Sequence, residues 1–247
     1  MLSYPIIVFD VGGTLLQLNY DALARLYVMT GATLGVALDF VQARAVIQAL
    51  ENEMPRRQQN RQVSLECDNG VGFWNEFYTD SFRRLGVKGD VSCAVTEICE
   101  RFQHGEFEAL FDDVIPTLAV LRARGKRLGI LSNFSPNLEN ILRQVGVHHY
   151  FSFFVVSGIV GVEKPDPRIF DLTACAGNCP REEIVYIGDS VFHDMEGARN
   201  AGIAGILVDR HNQHPEFNGA RVCDLRELLS DKFTNHVVSE ANSLPSG

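Results

Sequence analysis

The chain has 247 residues, 46% hydrophobic and 21% charged, an ordinary globular composition that excludes disorder throughout. Lysine plus arginine number 22 against 31 aspartates and glutamates, a formal charge of -9. That is the wrong sign for reading a phosphate backbone, so nucleic acid is not an expected partner.

In chain order, residues 6–9 form a β-branched and aromatic run ending in Asp10 and the pair Gly12-Gly13, which reads as a buried parallel strand and a turn. From about Tyr20 to Glu106 no strand pattern follows, and helices are expected near residues 21–29, 38–54, 72–85 and 91–104. The polar stretch 55–70, with Arg56, Arg57 and Arg61, reads as a solvated loop. Phe73, Trp74, Phe77 and Tyr78 read as packing within the helical block, and Arg83 and Arg84 as solvating a helix end.

Strand grammar then returns at residues 127–131, ending in Ser132-Asn133, at 153–156, ending in Ser157-Gly158, at 184–187, ending in Gly188-Asp189, and at 203–208, ending in Asp209. Helical patterns at 116–124, 138–145, 167–176 and 195–201 lie between them, the third opened by Asp166-Pro167 as N-cap and first-turn proline. Strands alternating with helices predict an α/β fold, a doubly wound and mostly parallel sheet interrupted by an all-helical insertion. The predicted division is a core of residues 1–17 and 107–232, a helical insertion over 18–106, and a flexible tail over 233–247.

The longest stretch without formal charge, 144–162, is broken by His148, His149, serines and glycines, so no membrane span is expected. The N-terminus has no basic leader, and a signal peptide is not expected. The six cysteines (Cys67, Cys93, Cys99, Cys175, Cys179 and Cys223) form no CxxC pair, which points to reduced thiols and a cytoplasmic protein.

Ligands of an open parallel sheet bind beyond the carboxyl ends of its strands. Those ends carry Asp10, Ser132 with Asn133, and Asp189, with Lys164 in a nearby loop. Singly, each reads as a cap, a turn residue or a surface charge; together they put carboxylates, a hydroxyl and an ammonium on one rim.

The segments carrying them are Phe9-Asp10-Val11-Gly12-Gly13-Thr14-Leu15-Leu16, Leu131-Ser132-Asn133, Lys164-Pro165-Asp166-Pro167, and Gly188-Asp189-Ser190 with Asp194 beyond. In this order they resemble the four motifs of the haloacid dehalogenase superfamily of hydrolases, and the insertion after the first resembles that family's α-helical cap. The resemblance implies a Rossmann-like core and a Mg2+-dependent hydrolase acting on a small phosphorylated organic molecule through an aspartyl-phosphate. It implies Asp10 as nucleophile, Thr14 as the residue fixing its turn, Ser132, the Asn133 N–H and Lys164 as phosphoryl contacts, Asp10, Asp189 and the Gly12 carbonyl as metal ligands, and Asp194 as their support. Specificity and closure over the site are then expected of the cap.

The chain departs from the family at Gly12, where most of its phosphatases carry a second aspartate that protonates the leaving group. A slow phosphatase, one restricted to acyl or aryl phosphates, or one drawing an acid from His104 or His193 is therefore expected. The alternatives are a metal-independent 2-haloacid dehalogenase, against which Asp189 stands, and a non-catalytic binder of a phosphorylated ligand or a protein.

Overall fold

The computed structural model describes residues 2–58, 61–66 and 70–230; the predicted tail over 233–247 lies outside them. In chain order its elements are β1 (Ile6–Phe9), β2 (Leu16–Leu18), α1 (Tyr20–Thr33), α2 (Phe40–Asn52), α3 (Met54–Gln58), α4 (Val71–Arg84), α5 (Ser92–Gln103) and β3 (Glu108–Leu110). There follow α6 (Val114–Ala123), β4 (Arg127–Ser132), α7 (Leu138–Gln144), β5 (Phe153–Val156), α8 (Ser157–Val160), α9 (Pro167–Gly177), β6 (Ile184–Gly188), a π-helical turn (Val191–Glu196), α10 (Gly197–Asn200), β7 (Ala204–Val208) and β8 (Arg221–Val222). The described residues divide into two compact units, one formed by residues 2–17 and 110–230, the other lying within Leu18–Ala109.

The first unit is built on a six-stranded sheet of order β5-β4-β1-β6-β7-β8, parallel at every pairing. All four residues of β1 are buried because both of its faces are covered, which is why the strand shows no polar alternation. Ile7 and Phe9 join the cluster formed with α6 and α7 through Val114, Leu118, Leu138 and Ile141. Ile6 and Val8 join the opposite cluster, formed with α9 and α10 through Ile169, Phe170 and Ala198. Chain order reverses at β1, which lies between β4 and β6; such a switch point opens a crevice at the strands' carboxyl ends. Asp10 follows β1 directly and is tied to β6 by its N–H to the Ile187 carbonyl, 2.8 Å.

Two stretches differ from the sequence reading. The predicted helix over 195–201 starts earlier, as a π turn in which the Ser190 carbonyl accepts from both Asp194 N–H and Met195 N–H at 3.1 Å. One extra residue per turn brings the Asp194 side chain back to the Ser190 N–H, 2.9 Å, and only Gly197–Asn200 is regular α-helix. The stretch 55–70 is not all loop: α3 runs over Met54–Gln58 with Pro55 in its first turn, where proline forfeits no hydrogen bond.

The second unit packs Leu23, Tyr27, Ile47, Leu50, Phe77 and Phe82 into its own core, with Trp74 against it. Tyr27 stacks on Phe82 at 4.6 Å between centroids and shares a short hydrogen bond with Ser81. Arg84 is not merely solvated: it bonds Glu53 at 2.8 Å, and Arg57 joins Glu53 to Asp80.

Two carboxyls of this unit, Glu51 on α2 and Glu108 on β3, are pushed up to about 7, by burial first and for Glu108 also by Glu51. Each holds its proton more tightly folded than unfolded, so its contribution is complete below about pH 4 and is lost as pH rises through 7. Glu108→Gln is therefore expected to gain about 1–2 kcal/mol relative to wild type between roughly pH 4.5 and 7.5, with partial exposure included. Thermal midpoints of both proteins across that range measure it, and parallel curves would contradict it.

Candidate active site

The crevice at the carboxyl ends of β1, β4 and β6 holds Asp10, Lys164, Asp194, Tyr186 and Asp189. Lys164, only 3% exposed at its side chain, directs its Nζ to Asp10 Oδ1 at 2.7 Å, Asp194 Oδ1 at 2.6 Å and the Tyr186 hydroxyl at 2.8 Å. Its peptide bond to Pro165 is cis. Asn133 fastens the backbone of the same residue: its Oδ1 accepts from the Lys164 N–H at 2.8 Å and its Nδ2 donates to the Lys164 carbonyl at 2.9 Å. The Asn133 side chain is thus occupied in locating the lysine.

Ser132, the last residue of β4, is buried, and its hydroxyl makes no hydrogen bond among the described residues. Phe134 N–H donates to the Ser157 hydroxyl at 2.9 Å, which holds the start of the following loop. The turn after Asp10 closes through Leu15 N–H to the Val11 carbonyl, 2.8 Å, and Gly13 N–H to the Leu16 carbonyl, 2.9 Å. Thr14, expected to fix this turn, has a buried hydroxyl without a partner among the described residues, and its carbonyl accepts from Arg210.

Gly13 is at φ +70, and a Cβ there would lie 2.2 Å from Asp189 Oδ2. The carboxylate rests against bare backbone, a space only glycine leaves. Carboxylate oxygens of Asp10, Asp189 and Asp194 come within 4.8 Å of one another. Lys164 bonds two of these three carboxylates, and Asp189 has no ion pair among the described residues.

The charge imbalance appears in the proton affinities. Asp10 is raised above the ordinary carboxylate range by burial, against the pull of Lys164 and with the push of Asp194. Asp189 is raised further, by burial and then by Asp10 and Asp194. Burial works against the Lys164 ammonium, yet Asp10 and Asp194 outweigh it and keep it protonated. Three close carboxylates and one ammonium leave two negative charges when all ionise, the complement of one divalent cation. An all-oxygen donor set suits a hard cation such as Mg2+.

Tyr186 is the participant that sequence reasoning missed. Its hydroxyl also contacts Asp194 Oδ1 and the Leu131 carbonyl, each at 3.0 Å, and burial pushes the phenol well above its ordinary value. The available signal was a tyrosine inside an otherwise apolar strand, since a buried hydroxyl requires a partner. Of the two histidines considered as acids, His193 sits beside Asp194 and contacts the Ser190 hydroxyl at 3.3 Å. Burial first, and then Lys164, lowers its proton affinity. His104 caps α5 in the helical unit, its ring against the Glu100 carbonyl at 2.7 Å.

Residues 4–202 match the family described as haloacid dehalogenase-like hydrolase. A phosphoserine phosphatase of Thermus thermophilus is 40% identical over 124 residues, 49% of this chain and 50% of that enzyme, so the match spans half of the relative's length. Haloacid dehalogenase-like hydrolase domain-containing protein 3 of Danio rerio is 28% identical over 206 residues, 83% of this chain and 84% of that protein. Among solved structures, a 2-haloacid dehalogenase of Pseudomonas syringae superposes with a TM-score of 0.58 over 93% of this chain and 97% of its own, at 21% identity, a likeness of fold alone. With the family matched along most of its length, the chain belongs to the haloacid dehalogenase-like hydrolases.

Proposed function

We propose that this hydrolase is a Mg2+-dependent phosphatase of small phosphorylated organic molecules, with Asp10 as nucleophile and the unit Leu18–Ala109 as its cap. The observation that carries the reading is the meeting of the Asp10, Asp189 and Asp194 carboxylates within 4.8 Å, with a single ammonium bonded to two of them, a site two positive charges short of neutrality when all three ionise. Relatives named as phosphatases support it, and the free cysteines among the described residues support a reducing, cytoplasmic setting.

An Asp10 oxygen attacks phosphorus, the phosphorus–oxygen bond to the leaving group breaks, and the phosphoryl group rests on Asp10 until water releases it. Lys164 fixes the Asp10 carboxylate and offsets the charge brought by the phosphoryl group. The Ser132 hydroxyl and the Asn133 N–H donate to the phosphoryl oxygens from the end of β4. Asp10, Asp189 and the Gly12 carbonyl would hold the Mg2+, with Asp194 supporting them through Lys164 and the Ser190 N–H. Bound there, the metal supplies charge neutralisation between two anions.

With glycine at position 12 no carboxylic acid follows the nucleophile by two residues, so substrates with stable leaving groups, aryl or acyl phosphates, are favoured. The test is phosphate release from an aryl, acyl and alkyl phosphate panel with Mg2+, after chelation, and after Mg2+ is restored. Activity is expected to fall at least ~100-fold on chelation and to return with the metal. Unchanged phosphate release in chelator would reject the metal assignment, and halide release from 2-haloacids in chelator would favour the dehalogenase reading.

A further inference from the structure

We infer that Arg210 is a positioning residue for the nucleophile, a role that in its effect on turnover rests on the phosphatase reading. Arg210 lies two residues beyond β7, and its Nη2 donates to the Thr14 carbonyl at 2.7 Å. The guanidinium is aimed there by Asp113, whose carboxylate takes Nη1 at 2.8 Å and Nη2 at 3.1 Å in a fork. The ring of Phe111 lies 3.6 Å from Cζ. Asp113 is itself fixed by the Leu225 N–H at 2.6 Å, and the Phe111 N–H donates to the Leu15 carbonyl at 3.2 Å.

The turn that starts at Asp10 is therefore held at two consecutive carbonyls, Thr14 and Leu15, by side chain and backbone from segments about 100 and 200 residues away in sequence. Gly13, one residue before the first of them, bears directly on the Asp189 carboxylate. A shift of this turn would move Asp10 and the Gly12 carbonyl relative to Asp189.

A buried ion pair returns little net stability, because desolvating both partners offsets their attraction. With side chains 10% and 2% exposed, Arg210 and Asp113 fall in that class, and the buried Arg210 Nε has no partner among the described residues. What the arrangement supplies is direction: a rigid planar fork that can bond a carboxylate and a carbonyl at once.

Two variants test this. Arg210→Met combined with Asp113→Asn removes both charges together while keeping side-chain length and an acceptor for the Leu225 N–H. Arg210→Lys keeps the charge opposite Asp113 and loses the fork. In each, amide exchange of Gly13, Leu15 and Leu16 is expected to accelerate at least ~10-fold while the β6 amides stay protected. With p-nitrophenyl phosphate and Mg2+, kcat is expected to fall roughly 10- to 100-fold with KM within about twofold, as a misplaced reacting group predicts.

Unchanged exchange and kcat in Arg210→Lys, or acceleration spread equally over β6, overturns the inference. If the wild type releases no phosphate, the phosphatase reading fails, and the exchange data alone decide whether Arg210 holds the turn. If the double variant does not fold, Arg210→Lys decides by the same criteria.

Discussion

Asp10→Asn is expected to reduce phosphate release by ~10^4-fold or more while leaving the protein at least as stable as wild type. The amide has the carboxylate's shape and offers an oxygen to Lys164 Nζ where Asp10 Oδ1 now lies at 2.7 Å, but it is not the anionic nucleophile that attack on phosphorus requires. The stability expectation follows from the crowding of charge. Asp10 and Asp194 both raise the proton affinity of Asp189, so removing one carboxylate relieves repulsion that the others bear. Lys164 does not become an unpaired buried cation in the variant, because Asp194 Oδ1 remains 2.6 Å away. Loss of activity together with an unchanged or higher thermal midpoint would identify a functional carboxylate. Activity within tenfold of wild type would move the nucleophile elsewhere, and a midpoint many degrees lower would make Asp10 a structural partner of Lys164.

The strands were legible where burial on both faces makes them continuous apolar runs, and β1 and β5 have the bounds read from the sequence. β8 has two residues and β2 and β3 three each, too short for any period to register. The loss of regularity after Asp189 was invisible for another reason. A π turn depends on which amides reach the Ser190 carbonyl, and the apolar spacing of the following residues reads as an ordinary helix.

Within the candidate site, strand-end position picked out Asp10, Ser132, Asn133 and Asp189, because a polar residue closing an apolar run stands out. Their mutual geometry was not legible, since Lys164 reaches Asp10 across 154 residues and its contacts depend on the fold of the intervening loops. Tyr186 reads as one more strand residue until sheet register aims its hydroxyl at Lys164. The Arg210–Asp113 pair spans 97 residues and leaves no local pattern. Asp194 reads only as a support for the metal ligands; its position depends on the π turn, which lets one carboxylate serve both the Ser190 N–H and the Lys164 ammonium.

Gly12→Asp is expected to raise turnover of alkyl phosphates by ~10²–10⁴-fold and to change aryl phosphate turnover little. Space and backbone both permit the substitution, for among the described residues a Cβ built on Gly12 meets no atom within 4 Å beyond its chain neighbours, and its φ lies outside the left-handed range. Residue 12 adjoins Gly13, whose backbone abuts the Asp189 carboxylate, which keeps a new carboxyl at position 12 close to the acidic cluster. Near Asp10, Asp189 and Asp194 that carboxyl would hold its proton to higher pH than an exposed aspartate, as a general acid at neutral pH requires. An alkoxide leaves poorly without that proton, whereas an aryl oxide of pKa about 7 leaves without it, so the gain grows with leaving-group basicity. A series of phosphate esters spanning that range reads the effect as a slope of log kcat/KM against leaving-group pKa, shallower in the variant than in wild type. A fourth carboxylate should also lower the thermal midpoint, and added Mg2+ should recover part of that loss by binding the folded state. Equal slopes in the two proteins would mean that glycine at position 12 does not limit the wild type and that its acid comes from another group, His193 beside Asp194 being the first to test.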